Sequence, residues 1–380
     1  MRASSREPEE AAVALASLPA MGPGRLTALV RTFGFARAWD AVCRGRPSDE
    51  PDVARALGAK AREIQDEWAR ASRTLDPSAL FDQHHRAGIE VTTIGADRFP
   101  SVLAADLEPP MVLFSVGDLE AISGRRVAIV GTRRCTRSGR LTAREMGRQL
   151  AEAGVAVVSG LALGIDGAAH EGTLEASDGA APIGVVGTGL DTVYPRRHQR
   201  LWDAVSARGV LVSEVPMGAG ALPWRFPARN RIIAALSEVV VVVESHATGG
   251  ALHTVDEALR RDRQALVVPG SVRSPASAGT NALLHEGLGP ARDVTDVLIA
   301  LGFSAVTAND AAGHDSAPRR SDLGRADADL LDLVGDTPVS VDQLAARSGL
   351  ALGDLAVRLM NLEHRGWLVR SGGWVERVRT

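Results

Sequence analysis

Short apolar runs alternate with helical patterns through the middle of the chain. Six runs rich in valine and isoleucine have the length of buried strands, and they lie at 127–130, 155–158, 183–186, 210–213, 239–243 and 265–268. Helical patterns separate them at about 138–153, 166–177, 197–208, 228–236 and 250–261. Continuous apolar strands that alternate with helices are typical of a mostly parallel sheet covered by helices on both faces. The pattern therefore predicts an α/β fold, with further strands at Ile89–Ile94 and Met111–Val116.

The segment before this core is predicted to be helical. Residues 1–10 are acidic and predict a frayed tail, whereas Ala11–Arg73 has helical patterns, so that 1–75 forms a helical domain. Within it, two glycines flank a proline at Gly22–Gly24, at a tight turn between two helices. A turn of this kind exposes backbone amides and resembles a helix-hairpin-helix, a device that contacts phosphates. A plain turn in a packing domain is the other interpretation, and the sequence leaves both open.

The segment after the core divides into a linker and a small closing domain. Residues 303–325 are polar and rich in helix breakers, which predicts a linker after the sheet domain of 80–302. Residues 326–380 contain three helical patterns, the second opened by a Ser-x-x-Gln capping box, and then a β-hairpin. Three helices followed by a hairpin are the order of a winged helix-turn-helix.

The composition excludes several classes of protein. The 380 residues are 45% hydrophobic with a formal net charge of −3, which is typical of an ordinary globular chain. Cys43 and Cys135 fit no disulfide or cysteine–zinc pattern, and no apolar run has membrane-spanning length. We therefore expect a cytoplasmic protein with no membrane segment, metal or cofactor. Lys60 is the only lysine, which excludes P-loop hydrolases and lysine-based catalysis in the central region.

Glycine-led turns after the predicted strands indicate an anion-binding edge. The carboxyl ends of parallel strands meet at one edge of a sheet, where bare backbone amides bind phosphate. The first turn is no dinucleotide G-x-G-x-x-G run; it brings three arginines together, which suits a row of phosphates better than one enclosed pyrophosphate. The candidate residues of this edge are Gly131, Thr132, Arg133, Arg134, Arg137, Ser159, Gly160, Gly187, Gly249 and Gly250.

A second candidate segment begins the helix before the fifth strand of the core. It follows Trp224 and Arg225 and contains Phe226, Arg229, Asn230 and Arg231. Arginines beside aromatic rings suit single-stranded nucleic acid, because the charge binds the backbone and the ring stacks on a base. A surface helix that starts with a buried phenylalanine is the alternative, and we favour the nucleic-acid interpretation.

Two histidine patterns have simpler explanations than metal binding. Asp166 and His170 lie one helical turn apart, a spacing that can hold a metal, but no third ligand is evident. We interpret Asp166 as a helix N-cap, with His170 hydrogen-bonded on the same face. The pair His84 and His85 is expected on a solvated helix face.

The run Thr248–Glu257 supports two functional hypotheses. Its glycines can close the anion-binding edge. It also resembles the Gly-Gly-x-Gly-Thr-x-x-Glu run of nucleotide phosphoribohydrolases, with Glu257 or Asp256 catalytic, although Ala251 and Leu252 replace the Gly-Thr pair. An enzyme that cleaves nucleoside monophosphates is therefore the alternative function.

Taken together, these motifs resemble the DNA-processing protein A family, which is named DprA or Smf. The family's Phe-Pro, Pro-Pro-x-x-Leu-Phe and Val-Gly-Thr-Arg patterns are met at Phe99–Pro100, Pro109–Phe114 and Val130–Arg133. Its Ser-Gly-x-Ala-x-Gly-Ile-Asp-x-x-Ala-His run is met in full at Ser159–His170, and its Phe-x-x-Arg-Asn-Arg-Ile-Ile run at Phe226–Ile233. The resemblance extends over nearly the whole chain.

The resemblance implies a Rossmann-like domain that binds single-stranded DNA, dimerises and passes strands to the RecA recombinase during natural transformation. It also implies a SAM-like helical domain before it, a winged helix after it, and no enzymatic activity. By position it assigns strand binding to Gly131–Arg133 and to Phe226, Arg229, Asn230 and Arg231. Helix 352–365 is neutral overall, which favours a protein-contact role for the winged helix. A winged-helix regulator with a ligand-sensing core is the second rival, after the phosphoribohydrolase.

Overall fold

The computed structural model describes residues 6–304, 323–335, 338–364, 367–371 and 373–377. The chain forms two compact units, Met1–Ala312 and Gly313–Thr380, and each is described by itself. Most of the expected linker at 303–325 lies outside the described residues. The expected boundary at 75–80 falls inside the first unit, so a separate helical domain at 1–75 stays a prediction.

The first unit contains all of the elements predicted for the core, with ends displaced by a few residues at most. Its helices are α1 (Glu7–Ala16), α2 (Pro23–Phe33), α3 (Phe35–Cys43), α4 (Pro51–Leu57), α5 (Ala61–Ser72), α6 (Pro77–Arg86), α7 (Ser101–Ala104), α8 (Arg137–Glu152), α9 (Ile165–Glu175), α10 (Gln199–Arg208), α11 (Arg225–Leu236), α12 (Ala251–Leu259), α13 (Ala278–His285) and α14 (Val294–Ala300). Its strands are β1 (Glu90–Thr93), β2 (Val112–Gly117), β3 (Arg125–Val130), β4 (Val155–Ser159), β5 (Ile183–Val185), β6 (Val210–Ser213), β7 (Val239–Val242), β8 (Gln264–Val267) and β9 (Gly289–Pro290). Across the described part of the chain, no helix has the length and apolar character needed to cross a membrane.

The strands of the first unit form one mostly parallel sheet. Their order is β1-β2-β6-β5-β4-β3-β7-β8-β9, and only β1 and β2 are antiparallel to their neighbours. The chain fills one side of β3 with β4 to β6 and then crosses to the other side, where Val239 of β7 lies opposite Val127 of β3. A reversal of this kind opens a crevice at the carboxyl ends of the strands, where α/β proteins bind ligands. The predicted α/β fold is therefore confirmed, and the switch point lies at β3.

Alternate residues of the central strands pack into two separate cores. Ala128 and Val130 of β3 face the layer that contains α11 and α12, whereas Val127 and Ile129 face the layer that contains α8 and α9. Every side chain of β4 and β7 is buried, because helices cover both faces of the sheet. This burial on both faces explains why these strands are continuous apolar runs.

The amino-terminal helices pack on the antiparallel edge of the sheet. Buried residues of α1 and α2 share one core cluster with Phe114 of β2. Helix α1 begins at Glu7, so the expectation of a frayed tail through residue 10 was wrong. Proline in the first turn and acidic side chains near the amino terminus both favour a helix start at this position.

His84 also departs from the expectation of a solvated helix face. It is 2% exposed, and its ring stacks on Phe114 with centroids 5.2 Å apart. Its Nε2 accepts a hydrogen bond from the backbone N–H of Met217 at 2.9 Å, and burial lowers the pKa of the ring. His84 thereby joins α6 to the loop that follows β6.

The second unit is a winged helix. Its described elements are α15 (Arg325–Val334), β10 (Val339–Ser340), α16 (Val341–Ser348), α17 (Leu352–His364), β11 (Leu368–Ser371) and β12 (Trp374–Arg377). The strands form a small sheet in the order β10-β12-β11. The predicted capping box is present, because the Ser340 hydroxyl accepts from the N–H of Gln343 and the Gln343 side chain accepts from the N–H of Ser340. Gly349 ends α16 at a φ of 66°, a conformation that favours glycine.

Candidate nucleic-acid interface

An open cleft of about 640 Å³ lies beside the switch point, at the carboxyl edge of the sheet. We call it the arginine cleft. It is formed by the turn after β3, the start of α11, and the loop that leads from β7 into α12. The expected site residues that line it are Gly131, Thr132, Arg133, Arg134, Phe226, Arg229, Asn230, Gly249 and Gly250. Two segments that are about a hundred residues apart in sequence therefore share one surface.

Arg133, Phe226 and Tyr194 form a stack at the mouth of the cleft. The guanidinium carbon of Arg133 lies 5.3 Å from the centroid of the Phe226 ring. The ring of Tyr194 lies 5.2 Å from the same ring at an angle of 37°. Arg133 is exposed and Tyr194 is 42% exposed. The stack thus presents a positive charge and aromatic surface side by side, which is the combination that single strands require.

Arg229 lies beneath the cleft and is only 7% exposed. Its guanidinium donates a hydrogen bond to the carbonyl of Val185. Burial lowers the pKa of Arg229 to about 10, a shift that the nearby Asp166 opposes. Burial also raises the pKa of Asp166, against the influence of Arg229 and of three backbone amides. Arg229 therefore adds positive charge from below and holds the loops together.

Two glycines beneath the cleft lie where other groups approach the backbone closely. A Cβ at Gly160 would overlap the guanidinium of Arg229. A Cβ at Gly131 would lie within 2.8 Å of the backbone carbonyl oxygen of Glu244. Both glycines have ordinary backbone angles, so close approach rather than backbone freedom explains them.

A carboxylate of the chain itself occupies the place where an enclosed phosphate would bind. Helix α8 begins after Thr136, whose backbone N–H and hydroxyl donate to the two oxygens of Glu244 at 2.8 and 2.5 Å. Glu244 is 7% exposed, and a Cβ at Gly139 would overlap its carboxyl group. The helix amino terminus thus already has the negative charge that its dipole favours. An anionic ligand must lie farther out, against Arg133 and Arg134.

Short polar contacts fix the loops around the cleft. The Thr132 hydroxyl and Nδ1 of His246 are hydrogen-bonded at 3.1 Å, and the N–H of Arg134 donates to the same hydroxyl at 3.2 Å. The side-chain amide of Asn230 donates to the carbonyl of Gly250 at 3.4 Å. These contacts join the turn after β3 to the loop after β7, and α11 to the start of α12.

The structure does not bring Arg231 to the cleft, and this corrects the expectation from sequence. Its guanidinium forms a buried ion pair with Glu214 and donates to the carbonyl of Glu108 at 2.6 Å. The side chain is 9% exposed. Residues two apart on a helix point to different sides, so Arg229 and Arg231 cannot both face the cleft. Arg231 joins α11 to the loop after β6 instead.

Other expected candidates lie near the cleft without lining it. Ser159 is fully buried, and its hydroxyl donates to the carbonyl of Ile129 at 2.6 Å. Gly160 lines a small adjoining cavity with Arg133 and Phe226. Gly187 lines a neighbouring cavity, and Arg137 is an exposed residue of the first turn of α8.

The residues expected for a phosphoribohydrolase have other partners. The Glu257 carboxylate is paired with Arg260 at 3.0 Å and with Arg261, and Arg261 is also paired with Asp106 at 2.8 Å. Asp256 is exposed on α12. Neither acid lines the arginine cleft. The geometry therefore provides no carboxylate from α12 to act on a ribose bound there.

Asp166 is not the N-cap that the sequence predicted for α9. The N-cap of α9 is Gly164, and Asp166 is the second residue of the helix. His170 is fully buried, and burial lowers the pKa of its ring to about 4. In the part of the chain that the structure describes, no three His, Cys, Asp or Glu side chains gather as a metal site.

Sequence reasoning missed Tyr194, His246 and His253 as site residues. All three line the arginine cleft. Tyr194 lies in the loop after β5, whereas the two histidines lie in and after the loop that follows β7. The rule that placed the glycines at strand ends applies to the whole length of these loops, and extending it would have found Tyr194 and His246. His253 lies on the first turn of α12 and would have needed the helix start as well.

The fold and the cleft together define a class: a Rossmann-like α/β protein that carries an arginine-bearing cleft at its switch point, followed by a winged helix. The family described as DNA recombination-mediator protein A matches residues 90–302, and the DprA winged helix domain matches residues 314–373. The chain belongs to the DNA processing protein A family, DprA/Smf, as its motifs indicated.

Relatives in several bacteria support this membership. The Smf protein of Escherichia coli is 35% identical over 283 residues, which cover 74% of this chain and 75% of that protein. The crystal structure of DNA processing protein A from Streptococcus pneumoniae matches with a TM-score of 0.63 at 28% identity, covering 76% of this chain and 95% of that chain. The structure of the Helicobacter pylori protein matches with a TM-score of 0.51 at 28% identity, covering 56% and 95%.

Proposed function

We propose that this protein binds single-stranded DNA in the arginine cleft. The observation that carries the proposal is the stack of Arg133 on Phe226, with Tyr194 beside it. The amino terminus of α8 nearby is already occupied by the carboxylate of Glu244. Arg133 supplies charge for the backbone, and the rings supply flat faces for unpaired bases. A single-stranded DNA binding mode is described for the Helicobacter pylori relative, which agrees with this proposal.

A single strand suits the cleft better than a mononucleotide or a duplex. The Glu244 carboxylate occupies the amino terminus of α8, where an enclosed phosphate would otherwise bind. On α12, Glu257 is paired with two arginines, and neither it nor Asp256 lines the cleft. The bases of a duplex are stacked on each other and cannot reach Phe226, whereas those of a single strand can. Binding rather than catalysis is accordingly the proposed activity.

We further propose that the protein is a recombination mediator. In this role it protects incoming strands, loads the RecA recombinase on them during natural transformation, and acts as a homodimer in the cytoplasm. Family membership supports the role in DNA processing. The partner is tested by RecA-dependent ATP hydrolysis on strands covered by a single-strand binding protein, which we expect this protein to accelerate. The dimer is tested by light scattering.

Arg133→Ala tests strand binding. The change removes one exposed guanidinium and should weaken binding of a thymidine oligonucleotide about tenfold, since a hydrogen bond to a charged group contributes about 1.5 kcal/mol. Affinity is measured by gel-shift titration at two salt concentrations. The matched control is Arg98→Ala, which removes the same charge from an arginine that is 73% exposed and lies outside the cleft.

The outcome that contradicts the proposal is equal affinity for Arg133→Ala, Arg98→Ala and the unchanged protein at both salt concentrations. Thermal unfolding shows whether each variant is folded. Competition with unlabelled strands separates the rivals, because a duplex that competes better than a single strand would favour the winged-helix regulator.

A further inference from the structure

A second cavity, of about 600 Å³, lies between the amino-terminal helices and the sheet. We call it the hairpin cavity. One wall is the turn between α1 and α2, with Leu18 and Met21. The other wall is the loop after β6 and the start of α11, with Met217 and Trp224. The turn is fixed in place because the buried Trp68 donates a hydrogen bond to the carbonyl of Pro19 at 2.8 Å.

The charged residues of this cavity leave it positive. Its only described charged lining residues are Glu214, Arg225 and Arg229. Glu214 is neutralised by its ion pair with Arg231. The Nε atoms of Arg225 and Arg229 are buried, and neither has a hydrogen-bond partner in the described residues. The two guanidinium groups that line the cavity favour a ligand with electron-rich acceptor atoms.

An exposed aromatic ring lines the cavity. Trp224 is 45% exposed, and the guanidinium carbon of Arg225 lies 5.4 Å from its ring centroid. The turn between α1 and α2 approaches an edge of the same indole, because a Cβ at Gly22 would lie 3.7 Å from its Cη2 atom. A nucleobase has a face that stacks on an aromatic ring and edge atoms that accept hydrogen bonds. An aliphatic side chain would fill the space but would bring no acceptor atoms to the two guanidinium groups.

The hairpin cavity adjoins the arginine cleft. Trp224 and Arg225 immediately precede Phe226, so the first turn of α11 separates the two sites. Arg229 lines both. A strand that crosses this turn has one base near Phe226 and a neighbouring base near Trp224.

We propose that the hairpin cavity receives one nucleobase of the strand bound in the arginine cleft, stacked on Trp224 and accepting hydrogen bonds from Arg225 and Arg229. The inference rests on the proposed function, because it extends the same strand. It gives the amino-terminal helices a role in binding: the turn between α1 and α2 forms one wall of a base site.

The test compares a thymidine oligonucleotide with an abasic oligonucleotide of the same length, which has the same phosphates and no bases. The dissociation constant of the abasic strand divided by that of the thymidine strand measures what the bases contribute. Stacking of one base contributes about 1–3 kcal/mol, so Trp224→Ala should lower the ratio by roughly 5- to 150-fold. The matched control is Trp374→Ala, which removes a similarly exposed tryptophan, 51% exposed, from the winged helix and should leave the ratio unchanged.

A second variant fills the cavity instead of removing its wall. Ala228 lines the hairpin cavity and is half-buried on α11, so Ala228→Leu should lower the ratio in the same direction. A ratio that stays unchanged in either folded variant, while the unaltered protein binds thymidine strands, overturns the base site and leaves the proposed function standing. Failure of the unaltered protein to bind any single strand would instead overturn the proposed function.

Discussion

The arginine cleft and the winged helix both carry arginines, but the two sets of arginines have different partners. In the cleft, Arg133 lies over an aromatic ring, and within the described residues neither it nor Arg134 has a carboxylate partner. In the winged helix, Arg358 of α17 is paired with Asp327 at 2.7 Å, and Arg370 is paired with Glu363 at 2.8 Å. Affinity for nucleic acid comes from cations that displace counterions from phosphates. Arginines that are already neutralised supply little of it.

The exposed faces of the two regions differ in the same way. The outward residues of α17 include Leu352, Val357 and Met360, which are 64%, 53% and 55% exposed. These apolar side chains supply no groups that read base edges or bind phosphates. The comparison teaches that a DNA-binding fold does not by itself make a DNA-binding surface.

The largest effect is expected when both free arginines of the cleft are removed. Arg133→Ala with Arg134→Ala should weaken binding of a single strand roughly 100-fold, since two charge-assisted contacts are lost at about 1.5 kcal/mol each. The slope of log affinity against log salt should fall by about 1.4, because each phosphate contact on a single strand contributes about 0.7. Fluorescence anisotropy over a salt series measures both quantities.

The comparison for this prediction is the double variant Arg358→Ala with Arg370→Ala. It removes the same number of charges from the winged helix, and we expect its affinity within about twofold of the unaltered protein, with an unchanged salt slope. If the two double variants lose the same affinity and the same slope, the distinction between paired and unpaired arginines is wrong. Circular dichroism establishes that both are folded.

A smaller effect is expected for the aromatic ring of the cleft. Phe226→Leu keeps an apolar side chain and removes the stacking face, which should weaken binding about tenfold at an unchanged salt slope. Phe303→Leu is the matched control, because an arginine lies over each ring. The guanidinium carbon of Arg125 is 5.6 Å from the centroid of Phe303, and that of Arg133 is 5.3 Å from the centroid of Phe226. That pair lies at the start of β3, away from the carboxyl edge. Equal losses in both variants, measured by the same anisotropy titration, would mean that the ring acts through stability rather than stacking.

The elements of the fold were predictable because their signals are local. The central strands are valine-rich runs that helices cover on both faces, and a capping box with a following glycine sets the ends of α16. The glycine and arginine turn after β3 was found for the same reason, since the end of a buried strand marks it. The start of α1 was predictable as well, from its proline and acidic first turn, and was missed.

What could not be predicted depends on partners far away in the sequence. Glu244 reaches the start of α8 from the end of β7, and His84 is buried by a loop near Met217. No local pattern indicates either contact. The position of Arg231 could have been predicted in part, because residues two apart on a helix point to different sides and Arg229 faces the cleft. Its ion pair with Glu214 explains the direction in which its side chain points. Helical spacing therefore limits which arginines of a cluster can share one surface.

The smallest effect is expected on the exposed face of α17. Met360→Asp adds a negative charge to a side chain that is 55% exposed. On a surface that contacts phosphates, an added carboxylate would repel the strand and weaken binding several-fold at low salt. We expect the affinity for single and double strands to stay within about twofold, because this face has an apolar character and its neighbouring arginines are paired. The measurement is anisotropy at low salt, where surface charge acts most strongly. A loss that disappears at high salt would place the strand against α17 and would end the contrast between the two regions.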